Sequence, residues 1–375
     1  MKIAIAKETV DNENRVSASP ETVKKFSALK AEVFVTKGAG DKSNYSDEVF
    51  EKAGAKIVSE DEAFKDADVV LFVNYPSEEQ LSKINKGALL VGALSPYDDA
   101  ERVKSYATAG VDAITMEFIP RTTRAQSMDM LSSQANLAGY RSVLEAAYEY
   151  GHSFPMFMTA AGTVPPAKVF IMGAGVAGLQ AIATAKRLGA QVSATDVRPA
   201  VKEEVESLGA NFVMVESEET EAAQTEGGYA KEMSEEYKKQ QAELIATTIK
   251  KQDIVITTAL IPGRDAPVLV TDEMIATMKR GSVIVDMAVE RGGNVTASKL
   301  NEVVVTDNGV KIVGYGNLPS RMADDTSKLY AKNLFNLLSP FIDAENGEFK
   351  LNLEDDIIEG SMIVRDGEIV HTRLK

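Results

Sequence analysis

The sequence contains no cysteine, which excludes disulfides, zinc–thiolate and iron–sulfur centres and covalent thiol catalysis. Histidine is nearly as scarce, with His152 and His371 the only two in 375 residues. A multi-histidine metal centre is therefore excluded, no metal is expected, and a reaction that leans on imidazole as general base is a poor fit. No apolar run approaches the ~20 residues that cross a bilayer. The opening stretch from Met1 to Lys7 turns polar too soon for a signal peptide and reads as a strand. A soluble, cytoplasmic protein is the expectation. Positive charge is in deficit: 41 Lys and Arg face 56 Asp and Glu, a formal net charge of −15. That field repels phosphate backbones and anionic lipid heads, so no nucleic-acid partner is expected.

What is present suffices for a large folded protein. Apolar residues make up 44% and charged residues 26%, close to soluble globular proteins in general, and the length suits two or three packed units. Short apolar runs alternate with longer helical patterns, the signature of parallel strands joined by crossover helices. Strands are predicted over 3–6, 32–36, 69–73, 88–91 and 113–117, then over 168–172, 191–195, 211–215, 254–257, 282–286 and 311–313. Ser19-Pro20-Glu21 supplies an N-cap, an N1 proline and an acidic first turn for a helix. A long helix over 132–150, with Leu137, Tyr140, Val143, Leu144 and Ala147 on one face, links two lobes, and a helix over 326–338 packs back on the first. The expected fold is α/β, two Rossmann-like parallel-sheet domains joined by long helices with a cleft between them. Residues 1–133 plus 319–375 form the first, and 134–318 the second, with a mobile loop at about 216–243.

The second lobe opens with Gly173-Ala174-Gly175-Val176-Ala177-Gly178, placed between a strand and a helix. In a dinucleotide fold the first glycine makes the tight turn, the second lets the backbone approach the pyrophosphate, and the third allows close helix–strand packing. The helix N-terminus, through Val176 and Ala177, faces the pyrophosphate with free amides. Asp196 ends the next strand, where a carboxylate accepts hydrogen bonds from a ribose diol and repels a 2′-phosphate, so NAD(H) is favoured over NADP(H). Val197 and Arg198 follow. Arg198 reads either as a solvated arginine or as a phosphate receptor. The loop after strand 254–257 brings Ala259 and Leu260 towards the cofactor. The long connection carrying Gly227-Gly228-Tyr229 is either an acidic solvated helix or a lid with a glycine hinge.

Oxidation of an alcohol or amine moves a proton as well as a hydride, whereas hydride transfer between two nicotinamides moves no proton at the reacting carbon. Two badly placed histidines suit the second chemistry. With one glycine fingerprint present, the other nicotinamide belongs on a separate polypeptide.

Five segments together carry a family likeness. They are Arg121-Thr122-Thr123-Arg124-Ala125-Gln126-Ser127-Met128-Asp129-Met130-Leu131-Ser132-Ser133-Gln134, then Met158-Thr159-Ala160-Ala161-Gly162-Thr163-Val164-Pro165-Pro166-Ala167, the glycine fingerprint, Gly227-Gly228-Tyr229-Ala230-Lys231-Glu232-Met233, and Thr257-Thr258-Ala259-Leu260-Ile261-Pro262-Gly263. On these the chain resembles, over essentially its whole length, the NAD(H)-binding α-subunit component of the proton-translocating nicotinamide nucleotide transhydrogenases. The resemblance implies an enzyme that couples NADH plus NADP⁺ to NAD⁺ plus NADPH with proton movement. NAD(H) would be bound here, and NADP(H) on a partner subunit. Membrane-spanning subunits complete the assembly, and this chain would be a homodimer held peripherally on the inner face of the membrane. Carried over by motif, Arg121, Gln126, Asp129 and Ser132 would hold the dihydronicotinamide against the acceptor ring, and Gly228 and Tyr229 would match the tip of the family's mobile loop. The chain is also similar to alanine dehydrogenase, which shares an early pair like Arg15-Val16. That enzyme needs a lysine where Asn74 stands and a histidine on the next strand, and 88–97 contains none. A non-catalytic NAD-sensing protein is a further alternative, but it would have no use for the string from Arg121 to Ser132.

Overall fold

Ile3, Ala4 and Ile5 are wholly buried, so β1 (Lys2–Ile5) has no solvent face, the mark of a central parallel strand covered on both sides. The computed structural model describes residues 1–215, 234–261 and 263–375. It divides into two units, Met1–Gln134 with Pro319–Lys375, and Ala135–Leu318. In the first, β1 pairs with β2 (Glu32–Thr36), which pairs with β3 (Lys56–Val58). On its other side β1 meets β4 (Val69–Leu71), followed by β5 (Leu89–Gly92) and β6 (Asp112–Thr115), all parallel. The helix Pro20–Ala28 begins as its sequence dictates: Ser19 accepts the Thr22 amide, proline fills the first turn, and Val23 and Phe26 are buried. β6 ends at Thr115, short of the expected 117. Glu117 turns back instead, its carboxylate accepting the Ser95 amide at 2.9 Å and the Thr115 hydroxyl.

The first strands of the second unit form a hairpin, β7 (Phe157–Thr159) and β8 (Gly162–Val164), all of whose residues are exposed. Its sheet contains β9 (Lys168–Met172), β10 (Gln191–Thr195), β11 (Asn211–Phe212), β12 (Ile254–Thr257), β13 (Val283–Asp286), β14 (Val303–Val305) and β15 (Lys311–Val313), in the order β11-β10-β9-β12-β13-β15-β14. Of these strands only β14 runs antiparallel. The chain steps outward from β9 to β11 and then returns to the other side of β9, so the carboxyl ends of β9 and β12 form the topological switch point where open sheets bind ligands. β11 stops before the expected 215 because the Val215 amide leaves the ladder for the Gln241 side chain. Within the expected loop at 216–243, residues from 235 onward are helical: Glu235–Ile249 is capped by Ser234, which accepts the Tyr237 amide. Gly228 and Tyr229 lie outside the described residues.

The unit boundary falls inside the helix Met130–Glu149. Its buried stripe runs through Ala138, Gly139, Ser142, Val143 and Ala146, whereas Leu137, Tyr140, Leu144 and Ala147 are half-buried. Small residues win that face because another backbone comes close: a Cβ on Gly139 would stand well inside 3.0 Å of the Ala177 carbonyl. The chain then returns to the first unit. The helix Ala323–Leu338 buries Tyr330, Leu334, Leu337 and Leu338, and the Tyr330 hydroxyl donates to the carbonyls of Phe72 and Val73 at 3.0 and 3.2 Å. β16 (Met362–Arg365) pairs antiparallel with β6, and β17 (Glu368–Ile369) closes the edge of an eight-stranded sheet ordered β17-β16-β6-β5-β4-β1-β2-β3. Among the described residues no helix is long and apolar enough to cross a membrane.

Candidate functional site

The turn after β9 uses its three glycines for three different reasons. Gly173 has φ +106°, and a Cβ there would collide with the Thr258 hydroxyl, which donates to the Gly173 carbonyl at 3.1 Å. Gly178, one turn into the helix Val176–Arg187, presses on that same carbonyl; a Cβ would stand well inside 3.0 Å of it. Gly175 is the opposite case, since nothing lies within 4 Å of the place its Cβ would take. Two glycines thus seat the helix against the strand, and the third leaves open space before a helix N-terminus that no side chain caps. A helix start left open in this way has the amides and the room to receive an anionic group. Val176 is exposed and Ala177 half-buried at that opening.

Asp196 stands at the end of β10 with its side chain 6% exposed. Its carboxylate accepts the Ala174 amide at 2.7 Å, the Arg198 amide at 2.8 Å, and the Arg198 guanidinium through Nε at 2.9 Å and Nη2 at 3.0 Å. Arg198 is therefore neither loose in solvent nor turned outward but clasped to Asp196. Val197 between them points to solvent.

The loop after β12 is held by two residues that sequence reasoning did not single out. Asn294 accepts the Ala259 amide at 3.1 Å and donates to the carbonyls of Ala259 at 2.9 Å and Pro267 at 2.7 Å. Beneath it, wholly buried Asp286 at the end of β13 accepts the Thr257 hydroxyl and the amides of Ala288, Asn294 and Val295, at 3.0–3.3 Å. Leu260 is left exposed. A signal existed: an aspartate ending an apolar strand and followed by Gly292-Gly293-Asn294, with both glycines at positive φ. Gly293 has no room for a Cβ, which would crowd the Asp286 carboxylate at 2.7 Å.

The string from Arg121 to Ser132 belongs to the first unit. Ala125, Met128 and Met130 sink into its core, and the Ser127 carbonyl accepts the side-chain amides of Asn333 and Asn336, both at 2.9 Å. Arg124 forks onto Asp355 with two bonds of 2.8 Å and also meets Asp356. This anchoring presents Arg121 and Gln126 to solvent with no side-chain partner among the described residues. Asp129 and Ser132 are brought together: Asp129 accepts the Ser132 amide at 2.9 Å and its hydroxyl at 2.6 Å, capping the long helix. Gly173, Gly175, Gly178, Asp196, Arg198, Ala259 and Leu260 belong to the second unit. Neither histidine stands with either set. His152 is exposed beside Tyr150, and His371 lies against the Gly360 carbonyl, where burial lowers its pKa below the ordinary value.

Comparison with known proteins agrees along the whole chain. Residues 4–138 match the model described as alanine dehydrogenase/PNT, N-terminal domain, and residues 142–372 match alanine dehydrogenase/PNT, C-terminal domain. An NAD(P) transhydrogenase subunit alpha polypeptide of Rhodospirillum rubrum is 52% identical over 380 residues, covering 100% of this chain and 99% of the relative. A crystal structure of transhydrogenase from Sinorhizobium meliloti superposes with a TM-score of 0.90 at 50% identity, covering 99% of this chain and all of that one. Alanine dehydrogenase 1 of Staphylococcus aureus is more distant, 32% identical over 85% of this chain and 82% of its own length.

Proposed function

The chain belongs to the alanine dehydrogenase/PNT family, and on that premise we propose that it binds NAD(H) at the Gly173 turn and exchanges hydride with NADP(H) held by a partner subunit. It is then the NAD(H)-binding component of a transhydrogenase, an oxidoreductase. The observation that carries this reading is the glycine turn at the switch point, closed by the Thr258 hydroxyl at Gly173 and by backbone at Gly178, and open at Gly175. The free amides of the helix beginning at Val176 receive the pyrophosphate. Asp196 receives the adenosine ribose, because a carboxylate suits a diol and repels a phosphate. The loop at Ala259 and Leu260 offers backbone groups whose direction Asn294 fixes.

The dinucleotide supplies the hydride itself. Arg121, Gln126, Asp129 and Ser132 orient the dihydronicotinamide, a task that needs hydrogen bonds and charge but no acid–base step. The absence of a histidine from both sets of residues suits that chemistry. In this reading proton movement takes place in membrane-spanning partner subunits, and the chain sits on the cytoplasmic face of the membrane through them. A second copy of the chain completes the unit. The hairpin β7–β8 supports pairing, since it exposes Phe157, Met158 and Val164, with Met156 just before them, on strands that, among the described residues, pair only with each other.

The test is a mixing experiment. The purified chain is combined with the NADP(H)-binding component, NADPH and an oxidised NAD analogue, and reduction of the analogue is followed. Rapid reduction that requires both proteins is expected. No reduction with both proteins folded and saturated, or oxidation of alanine by the chain alone, overturns the reading.

A further inference from the structure

A carboxylate offers four lone-pair directions, and at Asp196 all four are filled. The Arg198 amide and Nε occupy Oδ1, and the Ala174 amide and Arg198 Nη2 occupy Oδ2. A ribose diol brings two more donors to the same two oxygens. Something must leave before it is received. Two of the present donors are backbone amides, one in the glycine turn and one just past β10, and neither can withdraw without dismantling the turn. The other two belong to one guanidinium, whose side chain is 36% exposed and has solvent beside it.

We infer that Arg198 is an internal competitor for the ribose site: its guanidinium holds the position of the diol in the free chain and swings off when the dinucleotide binds. This rests on the reading of Asp196 as the ribose acceptor. Arg198 is thus a specificity-determining residue with two opposite effects. For NADH it is an opponent, because its ion pair with Asp196 is broken on binding, which weakens affinity and speeds release. For NADPH it is an ally, because the displaced guanidinium is a cation tethered two residues from Asp196 and offsets the repulsion between that carboxylate and a 2′-phosphate.

The two effects give a signature that a plain packing or adenine-contact role does not. The experiment is fluorescence titration of NADH, NADPH and reduced nicotinamide mononucleotide, which has no adenosine, against the parental chain, Arg198→Ala and Arg198→Gln, with thermal unfolding as the check on folding. NADH is expected to bind the variants roughly two- to fivefold more tightly, the range spanned by a half-exposed ion pair. NADPH should bind them more weakly, and the mononucleotide should be unaffected. NADH binding that is unchanged or weakened in both folded variants overturns the inference while leaving the proposed function standing. Failure of the parental chain to bind NADH at all overturns the function and the inference together.

Discussion

Asn294 holds the peptide of Ala259 from both sides, accepting its amide and donating to its carbonyl. The loop that follows β12 is therefore shaped by a residue in a different loop, which Asp286 fixes in turn through the Asn294 amide. Asn294→Ala leaves Ala259 and Pro267 without these partners. It is expected to cost about 1–3 kcal/mol in urea unfolding and to weaken NADH binding in titration. Unchanged stability and affinity would mean that the loop shapes itself.

The glycines separate folding from binding. Gly178→Ala forces a Cβ into the Gly173 carbonyl and should lower the thermal midpoint and reduce NADH binding together. Gly175→Ala meets open space, so its midpoint should match the parent while NADH affinity falls on the order of tenfold or more, as the methyl takes up room the pyrophosphate needs. Calorimetry and titration on the same samples read both quantities.

Asp129 caps a helix and is also assigned to the reaction, and two substitutions distinguish the roles. Asp129→Asn keeps an oxygen for the Ser132 amide, so stability should hold while single-turnover hydride transfer to the partner slows. Asp129→Ala loses the cap as well, at about 1 kcal/mol. If the asparagine variant transfers hydride at the parental rate, Asp129 is a cap and nothing more.

Glu8 accepts the amides of Val73 and Asn74 at 2.6 and 3.3 Å. Burial, reinforced by the neighbouring Glu13 carboxylate, pushes its pKa from 4.5 to about 8. The folded chain then keeps a proton that the unfolded chain releases, so this group's contribution to stability is present at low pH and is lost as pH rises from about 4.5 to about 8. Glu8→Gln should flatten that part of the profile in urea unfolding between about pH 5 and about pH 9, and an unaltered slope would assign the dependence to other groups.

Legibility in the sequence follows the range of the interactions involved. The strand, glycine turn and helix from 168 to 188 can be read because they are contiguous in sequence and Gly178 answers to Gly173 five residues away, although Gly173 itself answers to the distant Thr258. The helix at Pro20 is equally local, its cap and first turn lying within four residues. Asn294 is not legible in this way, since its partners lie 35 and 27 residues off. The buried face of the long helix misleads for a related reason. Hydrophobicity selects Leu137 and Leu144, but the backbone arriving at Ala177 selects Gly139. Strands of two or three residues, such as β3, β14 and β17, carry too little alternation to announce themselves.

The first unit is built from both ends of the sequence. Its sheet face is covered by the helix Ala323–Leu338, β16 pairs along the side of β6, and the Met1 ammonium donates to the Gly347 carbonyl at 2.9 Å. During synthesis the order of completion is therefore the reverse of the order of emergence. The second unit, closed on itself between Ala135 and Leu318, has all its strands once they leave the ribosome. The first, begun earlier, waits with an open apolar face and an unpaired strand until residues beyond 319 arrive. The hazard of mispairing for a nascent chain is concentrated in that interval, and it falls on the lobe that carries Arg121 and Gln126.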